Sequence, residues 1–366
     1  MSNQQELVKP PEGSRQAVAD LLEEVLKQGA TDLHLSSGEP PIIRVNGSLK
    51  PMDGKAALTV EDVKNLTMSL LDDDQQEKFW LQKDIDFAFS HQEKARFRAN
   101  IYHQMGKIAA AFRFIPTKIR TIEELNLPPI LHQFAKATQG FFLVVGPSGH
   151  GKSAALAAMV NEVNRTRRDH IITIEDPVEY LFQQDKCIVD QREVGIDVID
   201  FHRGLRAIFR EDADVVMIGE MRDAETISTA ITAAETGHLI FSTLHTNTAS
   251  QTIDRIIDSF PPHQQPQIRM QLASNLLGVL SRRLIPCLQG GMINAVELLG
   301  INTAVRNLIR EGKIHQIDMI IETSAEEGMI SLNRSLAELI RRELISLENA
   351  ELYSTSPAEL RVLLER

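Results

Sequence analysis

The sequence has 366 residues, of which 43% are hydrophobic and 24% are charged, which suits two domains with separate cores and excludes a fibrous or broadly disordered chain. Its 39 basic and 50 acidic residues give a net charge of −11, so we expect no nucleic-acid partner and rank a nucleic-acid translocase last. Only Cys187 and Cys287 are present, which excludes a four-cysteine zinc site, and the lack of an apolar run of about 18 residues predicts a soluble, cytosolic protein.

The N-terminal part begins with a polar leader, residues 1–14. Apolar residues at helical spacing then predict a helix near 15–28, with Ser14 as its cap and Gly29 as its stop. The pair Asn46-Gly47 between short apolar runs predicts a β-hairpin. Further helices are expected near 60–71 and 74–82.

Residues 96–101 alternate between apolar and polar side chains, which is typical of a strand with one buried face. Arg96 and Arg98 share the polar face of this strand, and Arg113 follows in the next apolar run. A solvated sheet face is the simplest interpretation of these arginines; the alternative is a contact with a bound phosphate across a subunit boundary. We predict a small α+β domain over 15–115 and a polar, proline-bounded linker over 116–129.

Four short apolar runs beyond the linker predict the buried parallel strands of an α/β sheet. Each run is followed at once by a polar cluster. Open parallel sheets bind ligands at the carboxyl ends of their strands, so we expect the four clusters to meet at one edge. The runs are 141–145, 171–174, 215–218 and 239–243. The stretch from 267 to 366 has a helical pattern.

The first polar cluster fits the pattern G-x-x-x-x-G-K-[ST] and opens a helix-forming run. Its glycines allow backbone N–H groups to surround phosphate oxygens, while Lys152 supplies a positive charge and Ser153 is a candidate Mg²⁺ ligand. We therefore predict ATP and Mg²⁺ as cofactors. The predicted binding residues are Gly146, Pro147, Ser148, Gly149, His150, Gly151, Lys152, Ser153 and Ala154.

Two acidic clusters follow other strands. Glu220 is placed to hold Mg²⁺ or its water, and Glu179, in the cluster with Glu175 and Asp176, is the candidate that orients the attacking water. A single such carboxylate is more often a solvated residue, but two clusters beside a phosphate loop favour catalysis. His238 and His245 flank the fourth strand; a structural role is the alternative for each.

The four segments "GPSGHGKS", "TIEDPVEY", "VVMIGEMRD" and "ETGHLIFSTLHTNTA" resemble, in this order, the Walker A motif, Asp box, Walker B motif and His box of bacterial secretion ATPases. The sequence from about 17 to 347 is similar to the type IV pilus retraction ATPases of the PilT/PilU group. "TAVRNLIRE" at 303–311 resembles a C-terminal motif associated with retraction. The cysteine-rich insertion of the assembly relatives is absent, which favours retraction.

The resemblance implies an α/β fold with a PAS-like α+β domain over 15–115, a RecA-like core over 130–266 and a helical C-terminal part over 267–366. It implies a cytoplasmic homohexamer at the inner-membrane face of the pilus machine, acting on a membrane platform protein, with a paralogous ATPase as a further partner. ATP would lie between neighbouring subunits. The implied catalytic residues are Glu179, Glu220, His238, His245, Arg96, Arg98 and Arg113, with Ser153 and Glu220 at Mg²⁺ and Lys107 as a substitute for a missing arginine.

Two functions follow as hypotheses. The first is an ATP-hydrolysing motor for pilus retraction, in which turnover changes the contacts between subunits. The alternative is a nucleotide-gated accessory subunit that assembles with an active paralogue and itself hydrolyses little ATP.

Overall fold

A computed structural model of the chain describes residues 7–45, 47–91, 95–115 and 118–365. The chain divides into two compact units, Met1–Lys118 and Ile119–Arg366. The elements of the first unit are α1 (Ser14–Lys27), β1 (Asp32–Leu35), β2 (Ile42–Val45), β3 (Ser48–Pro51), α2 (Val60–Met68), α3 (Asp73–Gln82), β4 (Asp84–His91), β5 (Ala95–Gln104) and β6 (Lys107–Ile115).

The first unit is built around a six-stranded sheet in the order β3-β2-β1-β6-β5-β4, with every neighbouring pair antiparallel. The predicted alternation in β5 is confirmed, because Phe97, Ala99 and Ile101 are fully buried. The helix near 15–28 is also present, but Gly13 rather than Ser14 is its N-cap residue. Val45 pairs with Ser48 across the predicted hairpin; Asn46 itself lies outside the described residues.

The second unit begins with α4 (Leu131–Ala135) and contains seven strands. These are β7 (Gly140–Val145), β8 (His170–Glu175), β9 (Ile188–Glu193), β10 (Val215–Ile218), β11 (Leu239–Leu244), β12 (Leu276–Pro286) and β13 (Met292–Gly300). The helices between them are α5 (Lys152–Thr166), α6 (Phe201–Ala207), α7 (Ala224–Glu235), α8 (Ala249–Asp258) and α9 (Gln265–Asn275). The helices after them are α10 (Thr303–Glu311), α11 (Ile317–Thr323), α12 (Leu332–Arg341), α13 (Leu347–Tyr353) and α14 (Pro357–Glu365).

The sheet of the second unit has the order β13-β12-β7-β11-β10-β8-β9. All neighbouring strands are parallel except β12 and β13. The four strands predicted from apolar runs are β7, β8, β10 and β11, and the predicted α/β class is confirmed. Side chains of β7 alternate between two cores, since Phe141 and Leu143 pack on one side of the sheet and Phe142 and Val144 on the other.

Three strands depart from the sequence predictions. β9 has the sequence IVDQRE and lacks a continuous apolar run, because it is an edge strand. The expectation that residues 267–366 are helical is wrong for β12 and β13, which form an antiparallel hairpin turned by Gly290 and Gly291 at positive φ. Every residue of β12 is buried or partly buried, so its largely apolar sequence fits a buried strand as well as a helix.

The described residues contain neither a helix that could cross a membrane nor a disulfide bond. No helix among them is both long and apolar enough to cross a bilayer. Cys187 and Cys287 are free thiols.

Candidate functional site

The phosphate-loop candidate lies between the end of β7 and the start of α5. Gly146 adopts φ 139°, and a Cβ there would lie 2.4 Å from the carbonyl oxygen of Arg282. Gly151 is the N-cap of α5 and has φ 74°, a left-handed conformation that favours glycine. The loop therefore presents the N-terminus of a 15-residue helix, where unpaired N–H groups and the helix dipole favour an anion.

Lys152 is the first residue of α5 and is only 8% exposed. Its Nζ donates to the carbonyl oxygens of Gly146 and Pro147, both at 3.0 Å, and contacts Nδ1 of His245 at 3.4 Å. Burial lowers the pKa of Lys152, while the Glu220 and Glu179 carboxylates oppose this effect. The predicted carboxylates of Glu220 and Glu179 therefore both act on the Lys152 ammonium, and the His245 ring contacts it.

Glu220 follows β10, whose backbone positions it: the Gly219 N–H donates to the carbonyl of Ile174 in β8 at 2.8 Å. Its carboxylate accepts a hydrogen bond from Arg222 and lies 3.5 Å from Nε2 of His245. Burial raises the pKa of Glu220, but Arg222 and His245 outweigh it, so the pKa lies below its ordinary value. Glu220 is thus ionised at neutral pH, as a carboxylate near Mg²⁺ requires.

His245 lies between Lys152 and Glu220 and contacts both. An ammonium only donates hydrogen bonds, so Lys152 requires Nδ1 of His245 to be the acceptor and the ring proton to lie on Nε2, which faces Glu220. His245 is 55% exposed. The contacts Lys152–His245–Glu220 thus join the ends of β7, β10 and β11.

Glu179 lies on the loop after β8, and its backbone N–H contacts the Glu175 carboxylate at 3.4 Å. Glu175 is 5% exposed, and its burial raises its pKa to about 7 against hydrogen bonds from Thr173 and Gln191. Asp176 is exposed. The Glu175 carboxylate therefore contacts the backbone of the loop. Glu179 is the half-buried carboxylate whose charge raises the pKa of Lys152.

Two residues of the edge strand β9 hold this loop, and neither belongs to a catalytic motif in the sequence. Gln191 Nε2 donates to the Tyr180 carbonyl at 2.7 Å, and its Oε1 accepts from the Phe182 N–H at 2.8 Å. Glu193 accepts from the Val178 N–H at 3.0 Å. The polar sequence of β9, IVDQRE, was the only feature that could have indicated these two loop-holding residues.

The phosphate loop is held in the same way by β12. The Leu284 N–H donates to Nδ1 of His150 at 2.9 Å, and the Arg282 guanidinium donates to the carbonyl of Gly151. Arg282 and Leu284 were missed because residues 267–366 were expected to be helical. An arginine pair inside an apolar run, at 282 and 283, is the signal that a strand prediction would have used.

His238 does not join this cluster. It precedes β11, whereas His245 follows it, so the strand separates the two by about 20 Å. Its Nδ1 contacts the carbonyl of Ala233 at 3.0 Å, and its ring packs against Phe209. Within one chain, the structure gives His238 these local contacts.

The predicted arginines belong to the first unit. Arg98 and Arg113 are direct cross-strand neighbours on β5 and β6. Arg98 pairs with Asp86, and Arg113 Nε donates to Asp32 at 2.9 Å while its side chain stays 71% exposed. Arg96 contacts Ser90 at 3.4 Å, and Lys107 is exposed at the start of β6.

The segment 303–311 forms α10, capped by Asn302. Arg306 Nη1 donates to the carbonyls of Ala273 and Ser274 at 2.7 and 2.9 Å. A cavity of about 270 Å³ lies beside it, lined in part by Phe134 and Met329. Its lining includes the start of β12 and the end of β13, away from the phosphate loop.

A magnesium-bound phosphate fits the donors at the loop. Lys152 and Arg282 are cations only 8% and 2% exposed, and Nε of Arg282 has no hydrogen-bond partner among the described residues. Buried cations of this kind are stabilised by an anion. The Ser153 hydroxyl and the ionised Glu220 would supply protein oxygen atoms to Mg²⁺, which binds through one or two protein groups together with phosphates.

Comparison with known proteins agrees with this geometry. The family model "Type II/IV secretion system protein" matches residues 13–348. The chain is 43% identical to the Type IV pilus retractation ATPase PilT of Pseudomonas aeruginosa over 333 residues, covering 91% of this chain and 96% of that protein. It is 37% identical to the Type IV pilus ATPase PilU of the same organism over 346 residues, covering 94% and 90%.

A solved structure is also similar. The crystal structure of the pilus retraction motor PilT with bound ADP superimposes with a TM-score of 0.88 at 43% identity, covering 94% of this chain and 99% of that one. The chain therefore belongs to the type II/IV secretion system protein family, and it is an ATPase of that family.

Proposed function

We propose that this ATPase is a hexameric motor that drives retraction of type IV pili by acting on the inner-membrane platform protein. The contact Lys152–His245–Glu220, with Glu179 acting on the same ammonium, carries the proposal. It brings a phosphate-binding cation and two strand-end carboxylates together at one sheet edge, as nucleotide hydrolysis requires.

The residues have separate roles in this proposal. The loop N–H groups and Lys152 bind the phosphates, and Ser153 and Glu220 hold Mg²⁺, which neutralises phosphate charge when bound. Glu179 orients the attacking water and accepts its proton. Arg96, Arg98 and Arg113 of a neighbouring subunit neutralise charge at the terminal phosphate. The ion pairs of Arg98 with Asp86 and of Arg113 with Asp32 orient these two side chains in advance.

Retraction is favoured over the accessory role because identity to the PilT relative, 43%, exceeds identity to the PilU relative, 37%. The proposed location is the cytoplasmic side of the inner membrane, where the motor meets its platform partner.

The test combines purified protein with a gene deletion. We expect steady-state phosphate release from the purified chain, and we expect the deletion strain to carry excess surface pili and to lose twitching. Complementation with Asp185→Asn, an exposed residue of the second unit, is expected to restore twitching, whereas Lys152→Ala is not. Negligible phosphate release would support the accessory subunit instead, and a strain without pili would indicate an assembly motor.

A further inference from the structure

Arg282 lies beside the phosphate loop because of the strand register. β7 ends at Val145, which pairs with Ser281 of β12. β12 continues past this point, so Arg282 stands next to Gly146, whose Cα faces its carbonyl oxygen. Alternation along the strand puts Arg282 on the same face as Leu280, which belongs to the core covered by α5.

The guanidinium contacts the N-terminus of α5 directly. Nη1 donates to the carbonyl oxygen of Gly151, which also accepts the Ala155 N–H at 3.2 Å. In a trans peptide the C=O and the following N–H point in opposite directions. Fixing the Gly151 carbonyl therefore fixes the Lys152 N–H so that it points out of the helix, toward the ligand side of the loop.

The position is unfavourable for a cation unless an anion is bound. Arg282 is 2% exposed, and its hydrogen-bond partners among the described residues, the Gly151 carbonyl and the Asn294 amide, are neutral. Burial lowers its pKa to about 10, so it remains charged at neutral pH. It also lies at the positive end of the α5 dipole, near Lys152. A buried charge without a counter-ion is destabilising.

The second partner of the guanidinium is neutral. Nη2 donates to Oδ1 of Asn294 in β13, and the amide of Asn294 is oriented by donating from Nδ2 to the Leu125 carbonyl. An aspartate at 294 would have neutralised the guanidinium. The amide instead orients Arg282 and leaves its charge uncompensated.

We propose that Arg282 is a positioning residue for nucleotide phosphates: it orients the Gly151–Lys152 peptide and adds a second buried positive charge behind the loop, which the β-phosphate compensates. This inference rests on the proposed nucleotide site but not on pilus retraction. It extends the phosphate-binding set from the loop to β12.

The experiment measures ADP and AMP affinities of the full-length chain by calorimetry in the presence of Mg²⁺. Arg282→Gln removes the charge and keeps hydrogen-bonding capacity; we expect about a tenfold loss of ADP affinity, the size of one charge interaction across several ångströms of partly polar protein. AMP, which lacks a β-phosphate, is expected to lose much less, and Arg282→Lys is expected to recover part of the ADP affinity.

Asn294 provides an independent test in which Arg282 stays in place. Asn294→Ala and Asn294→Asp both lose the bond to Leu125, but only the aspartate puts a negative charge beside the guanidinium. We expect Asn294→Asp to bind ADP more weakly than Asn294→Ala. The control is Arg167→Gln, which removes a guanidinium that pairs with Asp169 near the far end of α5; its ADP-to-AMP affinity ratio is expected to stay that of the parent.

The outcomes distinguish the proposed role of Arg282 from the existence of the nucleotide site itself. An unchanged ADP-to-AMP ratio in Arg282→Gln, or equal ADP binding by the two Asn294 variants, overturns the role of Arg282. If Arg282→Gln does not fold, the Asn294 pair decides. A parent chain that fails to bind ADP contradicts the nucleotide site itself.

Discussion

Glu179 is the residue on which turnover is proposed to depend. Glu179→Gln keeps the size and the hydrogen-bonding ability of the side chain but removes its basicity, so we expect ATP binding to persist while phosphate release falls by about a hundredfold or more. Calorimetry and a phosphate-release assay measure the two quantities. Asp185→Asn is the matched control, and it should retain parental turnover. Phosphate release by Glu179→Gln at the parental rate would falsify the assignment.

The sequence predicted those candidate site residues that belong to short motifs. Lys152, Glu220 and Glu179 each follow a buried strand, and the rule that parallel strands present their carboxyl ends at one edge was enough to bring them together. Arg282 and Gln191 could not be found in this way. Their roles depend on contacts with segments more than ten residues distant, which a local pattern does not contain.

At the scale of elements, β9 holds the loop that carries Glu179, the proposed catalytic residue. Gln191 donates to the carbonyl of Tyr180 and accepts from the N–H of Phe182, directly after Glu179 in the loop. Gln191→Ala removes both contacts and also the hydrogen bond that Gln191 donates to Glu175. Because displacement of a catalytic group by about 1 Å can reduce the rate about a hundredfold, we expect turnover to fall by tenfold or more at nearly unchanged ADP affinity. Steady-state kinetics with ADP titration measures this split.

Asp190 supplies the matched variant on the same strand. Its side chain is exposed and contacts His170, so Asp190→Asn should leave turnover close to that of the parent. Equal losses in the two variants would mean that β9 matters only for general stability.

A buried carboxyl connects β13 to α8. Glu297 accepts the Ala249 N–H at 2.7 Å, and burial raises its pKa to about 7 from an ordinary value of 4.5. Between these pH values the folded chain keeps a proton that the unfolded chain has released, so this group's stabilisation is complete below pH 4.5 and is lost as pH rises through about 7. Glu297→Gln stays neutral throughout.

We therefore expect Glu297→Gln to gain stability over the parent as pH rises from 5 to 8, by about 1 to 3 kcal/mol. Denaturant unfolding at several pH values measures the difference. Glu338→Gln, at an exposed position of α12, should show a difference that does not change with pH. A constant difference for Glu297→Gln would contradict the linkage.

Element prediction succeeded where burial and periodicity agree, as in β5, β7 and β11. It failed for β12 because a largely apolar segment fits a buried strand as well as a buried helix, and the signals for the hairpin were the arginine pair at 282 and 283 and the glycine pair at 290 and 291. β9 was missed for the opposite reason, since an edge strand needs few apolar residues.

For the whole molecule, the proposal places each catalytic centre between two subunits, with Glu179 from one and Arg113 from the next. Glu179→Gln and Arg113→Ala hexamers are each expected to be nearly inactive. In hexamers co-assembled from equal amounts of both, an interface is intact when both halves are native, so about a quarter of parental turnover should return. Phosphate release by co-purified mixed hexamers measures it.

The matched mixture combines Glu179→Gln with Lys152→Ala. Both changes lie in the second unit, so every interface keeps one defect and no recovery is expected. Recovery in this mixture, or none in the first, would contradict the shared site.

β7 lies between β11 and β12, and this placement has a consequence for biosynthesis. Its partners β11 and β12 emerge from the ribosome only later, the second about 130 residues after Val145, which at ordinary translation rates is roughly ten seconds. During that interval the nascent chain carries a fully apolar strand with an open edge, a surface prone to aggregation. A messenger RNA whose codons slow elongation between β7 and β12 should therefore make folding of the chain more dependent on chaperones.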